Sequence, residues 1–305
     1  MHLKLIYEGK DITDEVQIQS ADITDNAGGM ADSLEICFSD TKKLWSEWKP
    51  RKNNKVQIIQ DGFDTGEMYI DELEQQRGIF IIRALSIPKE AKTQYTKAWE
   101  NVRFMEFAGE IASKYGFELQ AYGIENHLYT RVDQFEMADF EFLAWRCRLE
   151  GYMIKIAGNK VVIYDERFME NTEPANTINL GTMDGNYAFK SKSTGVYGIC
   201  RVTCGSLQYE FTAANVLGPT LKINDMYFDS LAEGERYSKG LLRYHNKHEN
   251  IGKFTIKLDP GLAAGNTINI SGIGLGDGKY FCDQVVHKLV SNKTYLRVRR
   301  PLEGY

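Results

Sequence analysis

The sequence is short of proline, with 6 in 305 residues, and has no apolar run near the roughly 20 residues that cross a bilayer. All six prolines, at 50, 88, 174, 219, 260 and 301, fall outside the interiors of the predicted elements, where a missing N–H would break a helix turn or a sheet ladder. A basic excess is also missing. Lys and Arg number 37 against 42 Asp and Glu, a net charge of −5, which argues against a dedicated nucleic-acid binder and against anchoring on an anionic membrane. No charged segment followed by an apolar stretch opens the chain, so no signal peptide is expected. The five cysteines, at 37, 147, 200, 204 and 282, are odd in number and irregular in spacing, which excludes a disulfide framework and predicts reduced thiols in a cytosol-made protein.

What is present is strand chemistry. Tyr and Phe number 17 and 15, residues that pack well on a pleated face. Up to about Lys97, short alternating runs recur at His2–Tyr7, Leu34–Phe38, Lys55–Gln60, Met68–Leu73 and Gly78–Leu85. Turns fall between them at Gly28-Gly29, Asp61-Gly62, Thr65-Gly66 and Arg77-Gly78. Short strands at this spacing predict an antiparallel sandwich or barrel.

The period then changes. Phe104, Phe107, Ala108, Ile111, Ala112 and Tyr115 share one helical face, with Asn101 as the expected N-cap and Gly116 as the stop. A strand over Phe117–Ala121 follows. The pattern returns with Asp139 as the expected cap of a helix carrying Phe140, Leu143, Ala144 and Cys147, ended by Gly151. A hairpin around Gly158-Asn159 closes the unit. Strand patterns resume at 198–204 and 207–212, then at 253–258, 267–271, 279–290 and 294–299. One helix interrupts them, announced by Ser230 and Glu233 as a capping box and running to about Lys247, although Gly234 and Gly240 each weaken it by about 1 kcal/mol. The fold class is therefore mainly β with α/β inserts (α+β). The expected domains are a first β-barrel over 1–97, an α/β insert over 98–173, and a second β-barrel over 174–305 with 223–250 as a helical insertion.

Candidate chemistry is thin. Cys200 and Cys204 lie in one strand, where four residues span roughly 13 Å, too far to share an ion. His245 and His248, three apart and beside Glu249, lack the spacing of a zinc helix and suit a helix C-terminus. The run Gly272–Tyr280 has four glycines but precedes a strand, so it reads as a hairpin loop and not a phosphate cradle. Asp61, Asp64, Glu67, Asp71, Glu72 and Glu74 offer carboxylates for a glycosidase pair, against a reading as a solvated strand face. Tyr295, Arg297, Arg299 and Arg300 fall short of a nucleic-acid stripe. No catalytic or cofactor-binding residue, no metal site and no cofactor is assigned.

The order of segments resembles a known family. Tyr7-Glu8-Gly9-Lys10-Asp11-Ile12-Thr13 is similar to its first strand and turn, and Gly29-Met30-Ala31-Asp32-Ser33-Leu34-Glu35-Ile36 to its "aDsL" strand start. Ser86-Ile87-Pro88 and Ala98-Trp99-Glu100 match its link into a helical insert. Asp139–Leu143, through Leu149-Glu150-Gly151-Tyr152, resembles its "D-x-E-F-L … A-E-x-x-G" helix before a hairpin. The family is the late-control protein D family of contractile-tailed phages, which also supplies the hub portion of VgrG-type spike proteins. The resemblance implies a structural baseplate hub, not an enzyme. It implies a homotrimer of two tail-tube-like barrels per chain, giving six similar surfaces to a sixfold tube and three to a spike. The implied partners are a tail tube protein or tube initiator, a central spike protein and other baseplate proteins. DNA would be passing cargo only, through a lumen expected to be neutral or acidic, with no stable membrane binding. The site would be the baseplate of a particle made in a bacterial cytoplasm. The alternative is a tail-associated cell-wall hydrolase using the acidic strand face. With the chain stopping at Tyr305, no room for an added lysin domain is expected.

Overall fold

The structure is a computed structural model that describes residues 3–60 and 62–305. His2 of the first predicted strand and Asp61 of the acidic run lie outside the described residues. The first block contains β1 (Leu3–Tyr7), β2 (Lys10–Asp11), β3 (Gln17–Asn26), β4 (Ser33–Ser39), α1 (Leu44–Trp48), β5 (Lys55–Gln60), β6 (Phe63–Asp64), β7 (Met68–Gln76) and β8 (Ile79–Leu85). Alternation drives its inner face together: Leu34, Ile36 and Phe38 pack with Ile23, Ile58, Ile82 and Ala84. Trp45 of α1 closes one end, stacked on Phe80 with ring centroids 5.4 Å apart.

The insert contains β9 (Gln94–Arg103), α2 (Phe104–Lys114), β10 (Glu118–Tyr122), β11 (Leu128–Ala138), α3 (Asp139–Glu150), β12 (Tyr152–Ala157), β13 (Lys160–Asp165) and α4 (Glu166–Glu170). β9 and β11 form a long antiparallel ribbon, while β13 pairs parallel with β10 and antiparallel with β12. The predicted core face holds: Phe104, Phe107, Ile111, Phe140 and Leu143 are all buried in one cluster.

Both predicted caps of the insert helices are corrected. Asn101 lies within β9, and α2 begins after Arg103, whose backbone N–H donates to Glu106 Oε2 at 2.7 Å while Asn126 Oδ1 accepts from Met105 N at 2.9 Å. Asp139 is inside α3, not before it. Its buried carboxylate accepts from Lys114 Nζ at 2.7 Å, Tyr115 Oη at 2.8 Å and Gln134 Nε2 at 2.8 Å, pinning the end of α2 to the start of α3. Gly151 ends α3 with φ 76°, the left-handed turn that glycine adopts without steric cost.

Beyond the insert lie β14 (Asn176–Asn179), β15 (Ala188–Ser191), β16 (Ile199–Cys204), β17 (Leu207–Thr212), β18 (Thr220–Ile223), α5 (Leu231–Asn246), β19 (Asn250–Lys257), β20 (Thr267–Ser271), β21 (Gly278–Lys288) and β22 (Lys293–Arg299). Ser230 Oγ caps α5 by accepting from Glu233 N at 3.2 Å. The strands predicted at 198–204 and 207–212 pair with each other but do not join the large sheet. With β18 they form a separate sheet against which α5 packs, around Val202, Leu221, Tyr237, Leu241 and Leu242.

The first and last strand blocks form one sheet. Its path runs β15–β19–β22–β21–β3–β4–β8–β7–β5–β1–β2, and the joint is the pairing of β21 with β3, from Gln284↔Asn26 to Lys288↔Asp22. The protein is mainly β with α/β inserts, as the alternation predicts. Among the described residues, however, the pairing forms an open path and closes no ring of strands.

Candidate functional site

The structure scatters the sequence's candidate chemical groups. His245 packs edge-on against Tyr197 and Tyr244, while His248 Nε2 lies 3.0 Å from Asp283, so the pair does not converge. The glycine run forms the β20–β21 hairpin loop. The acidic run is spread over separate ion pairs: Glu67 with Lys55 at 2.6 Å, Asp71 with Lys92 at 2.5 Å, and Glu72 and Glu74 with Arg83 at 2.7 and 2.9 Å. Burial pushes the Cys200 and Cys282 thiols up to about 12 and raises Cys147 further, so these sulfurs stay protonated.

The densest polar cluster is one that the sequence reading missed. Arg299, on the last strand, is fully buried between two α4 carboxylates: Nη1 donates to Glu170 Oε1 at 2.6 Å and Nη2 lies 2.9 Å from Glu166 Oε1. Arg243 of α5 donates to Glu170 Oε2 at 3.0 Å, and Lys247 lies 3.6 Å from Glu166. Asp283 of β21 adds Arg297 and His248 to the cluster. Burial alone would raise the Glu166 carboxyl; Lys247, Arg299 and Arg243 outweigh it and hold it at about 2. Asp283 is likewise held well below the usual carboxylate range, its burial offset by His248, Lys247 and Arg299. Leu302 N donates to Glu170 Oε2 at 3.3 Å, tying in the C-terminal segment.

A second cluster extends the first. Glu150, at the end of α3, accepts from Tyr129 Oη and Arg236 Nε, both at 2.7 Å, and Arg146 donates to Tyr237 Oη at 2.7 Å. These charges are matched by partners rather than aimed at open space. A hollow of about 750 Å³ beside them is lined by charges of both signs, among them Arg167, Glu170, Lys279, Arg300 and Glu303, and by no Ser, Cys or His. The arrangement locks insert, helix and sheet together; it holds no nucleophile beside a base.

The residues matching the resemblance also prove to be joints. Asp32 accepts from Asn26 N at 2.9 Å, and its own N–H donates to Ser86 Oγ at 3.1 Å, linking the "aDsL" turn to the Ser86-Ile87-Pro88 segment. Burial, then the neighbouring Asp25, pushes the Asp32 carboxyl up to about 8. Helix α5 crosses α3 so closely that a Cβ on Gly240 would lie 2.5 Å from the Leu149 carbonyl oxygen.

The outer face of the large sheet carries a row of charge. Cross-strand pairing sets Lys257, Lys293, Lys288, Asp22, Glu35, Arg83 and Glu72 in one row from β19 to β7. At the joint of the two blocks this face forms a hollow of about 480 Å³, lined by Asp22, Thr24, Glu35, Arg83, Val286, Lys288 and Tyr295.

No family model and no curated protein matches the sequence. Solved structures do match the fold. A 43 kDa tail protein of prophage MuSo2 from Shewanella oneidensis aligns over 99% of both chains, with a TM-score of 0.78 and 12% identity. A tail protein from Neisseria meningitidis aligns over 97% of this chain and 95% of its own, with a TM-score of 0.76 and 12% identity. An Escherichia coli component of the type VI secretion system, itself described as similar to the phage T4 tail proteins gp27 and gp5, aligns over 95% of this chain and 76% of its own, at 0.58 and 12%. The chain thus has the fold of phage tail proteins and of VgrG-like secretion components.

Proposed function

We propose that this chain is a structural hub protein of a contractile phage tail or tail-like particle, seated at the baseplate between tail tube and central spike as a homotrimeric ring around a passage. The observation that carries the reading is the whole-length likeness to a prophage tail protein, which covers 99% of both chains. The internal chemistry supports it. The buried charges are spent on joining α4, α5 and the sheet, as suits a protein that transmits load. On this reading 1–97 and 174–305 are the two tube-like halves, 98–173 is the insert, and 223–250 is a helical insertion. The partners are a tube protein or tube initiator, the spike and other baseplate proteins, and the particle assembles in the bacterial cytoplasm.

The test is genetic and visual. Deleting the gene should leave the host without assembled tails, and antibody-labelled gold should mark the baseplate end of complemented particles. Normal tails in the deletion strain, or label along the tube or sheath, would refute the reading.

A further inference from the structure

The large sheet has two unpaired strand edges of opposite charge among the described residues. At one end of its path, β15 is bonded, among the described residues, only to β19. Ala188 faces Lys253 and Lys190 faces Ile251, so Lys190 and Lys253 project from the same side of the sheet. Lys288 and Lys293 are held by Asp22 and Asp184 at 3.5 and 2.7 Å, whereas Lys190 and Lys253 meet no carboxylate among the described residues. In the first block, β5 meets β7 only at Met68 and Tyr69, so among the described residues no strand pairs with residues 71–76 on the side away from β8. On that edge Glu72 and Glu74 share with Glu35 the single guanidinium of Arg83, which leaves negative charge in excess. The imbalance runs through the sequence: residues 1–97 hold 17 acidic and 13 basic side chains, and residues 250–305 hold 8 basic and 4 acidic.

An open strand edge pairs with another chain unless it is blocked, and a head-to-tail contact needs two different surfaces that complement each other. We infer that the β15 edge of one copy docks beside the 71–76 edge of β7 in the next copy, setting Lys190 and Lys253 against Glu72 and Glu74. The contact rests on the ring reading above and gives it a direction. β15 against β15, or β7 against β7, would bring like charges together, so copies can add only head to tail. The sheet would then continue from chain to chain, with side chains of both copies on one face.

Carbodiimide, which joins an amine to a carboxylate in direct contact, tests this on the full chain. Light and nitrogen-15-labelled copies are mixed, so that only links between copies appear as mixed-isotope pairs; intact particles are treated in parallel. The expected pairs join Lys190 or Lys253 to Glu72 or Glu74. Lys190→Glu with Lys253→Glu removes the reacting amines and sets acid against acid, so these pairs should vanish. Adding Glu72→Lys and Glu74→Lys to the same chain should restore linking in the swapped sense, which also shows that the variants fold. Links that fall elsewhere, a doubly swapped chain that forms no link in the swapped sense, or no link between copies in chain or particle would overturn the seam. If the chain forms a ring in the baseplate without these links, the seam fails and the hub reading stands. If the links form but the chain is absent from assembled tails, the seam stands and the hub reading fails.

Discussion

Replacing Gly240 by alanine sets two effects of opposite sign against each other. Gly240 is in the middle of α5, where alanine should gain about 1 kcal/mol from helix propensity alone. The structure predicts a loss. A Cβ at this position would lie 2.5 Å from the Leu149 carbonyl oxygen, 2.6 Å from that of Arg148 and 2.8 Å from the Gly151 N–H nitrogen. All three are backbone atoms of the end of α3, so relief requires the helices to part. Parting loosens Leu149, Tyr237 and Leu241 in their shared core and strains the Arg146–Tyr237 hydrogen bond. Overpacking of this kind costs roughly 1–3 kcal/mol and more when backbone must move, so a net loss of about 1–2 kcal/mol is expected. Gly109 is the control. It too is helical, in α2, but its Cβ would meet only Leu119 Cδ2 at 3.7 Å, an ordinary contact. Gly109→Ala should therefore stabilise by roughly 0.5–1 kcal/mol. Thermal and urea unfolding followed by circular dichroism would read both. A higher melting temperature for Gly240→Ala would refute the close packing of α3 on α5.

Phe140, packed between Tyr115 and Phe117 with ring centroids at 5.2 and 5.8 Å, should cost roughly 3–5 kcal/mol when cut to alanine; a loss under about 1 kcal/mol would mean that the insert core is misplaced. Asp32 has its folded carboxyl raised to about 8, above the ordinary carboxylate range, so its contribution is fully present below pH 4 and is lost as pH rises towards 8. Asp32→Asn should flatten that part of the stability curve, and an unchanged slope would contradict the assignment. Glu166 has the opposite sign. Its folded pKa of about 2 lies below the ordinary value, so its stabilisation is present above pH 4 and fades as pH falls towards 2, a fade that Glu166→Gln should remove. The purified chain should release no reducing sugar from peptidoglycan; release abolished by one carboxylate substitution would restore the hydrolase alternative.

Much of the fold was legible because burial writes itself into period. The 3.6-residue spacing of Phe104, Phe107 and Ile111 and the alternation of Leu34, Ile36 and Phe38 each report a single buried face. The ribbon of β9 and β11 was not legible, because most of its residues are exposed and the alternation is weak. Asn101 and Asp139 misled for a shared reason: a capping residue type is a local signal, and here Asn126 and the Lys114–Asp139 pair supplied the contacts from a distance in sequence. Gly234 and Gly240 read as helix weakeners because propensity is local, whereas their value lies in the helix and side chains that approach them. The buried charge cluster had only faint signals: Glu166 and Glu170 four apart on one helix, and Arg297 and Arg299 alternating on the last strand. Nothing in the sequence states that these segments meet.

The central claim is that three copies of this chain join a sixfold tube to a threefold spike. Copy number and symmetry in the assembled baseplate, measured by cryo-electron microscopy of purified particles, test it most directly. The account predicts three copies in one ring at the tube end, with the 3–60 and 250–299 strands of each chain facing the passage. Six copies in a ring, or a position outside the tube-to-spike axis, would contradict it.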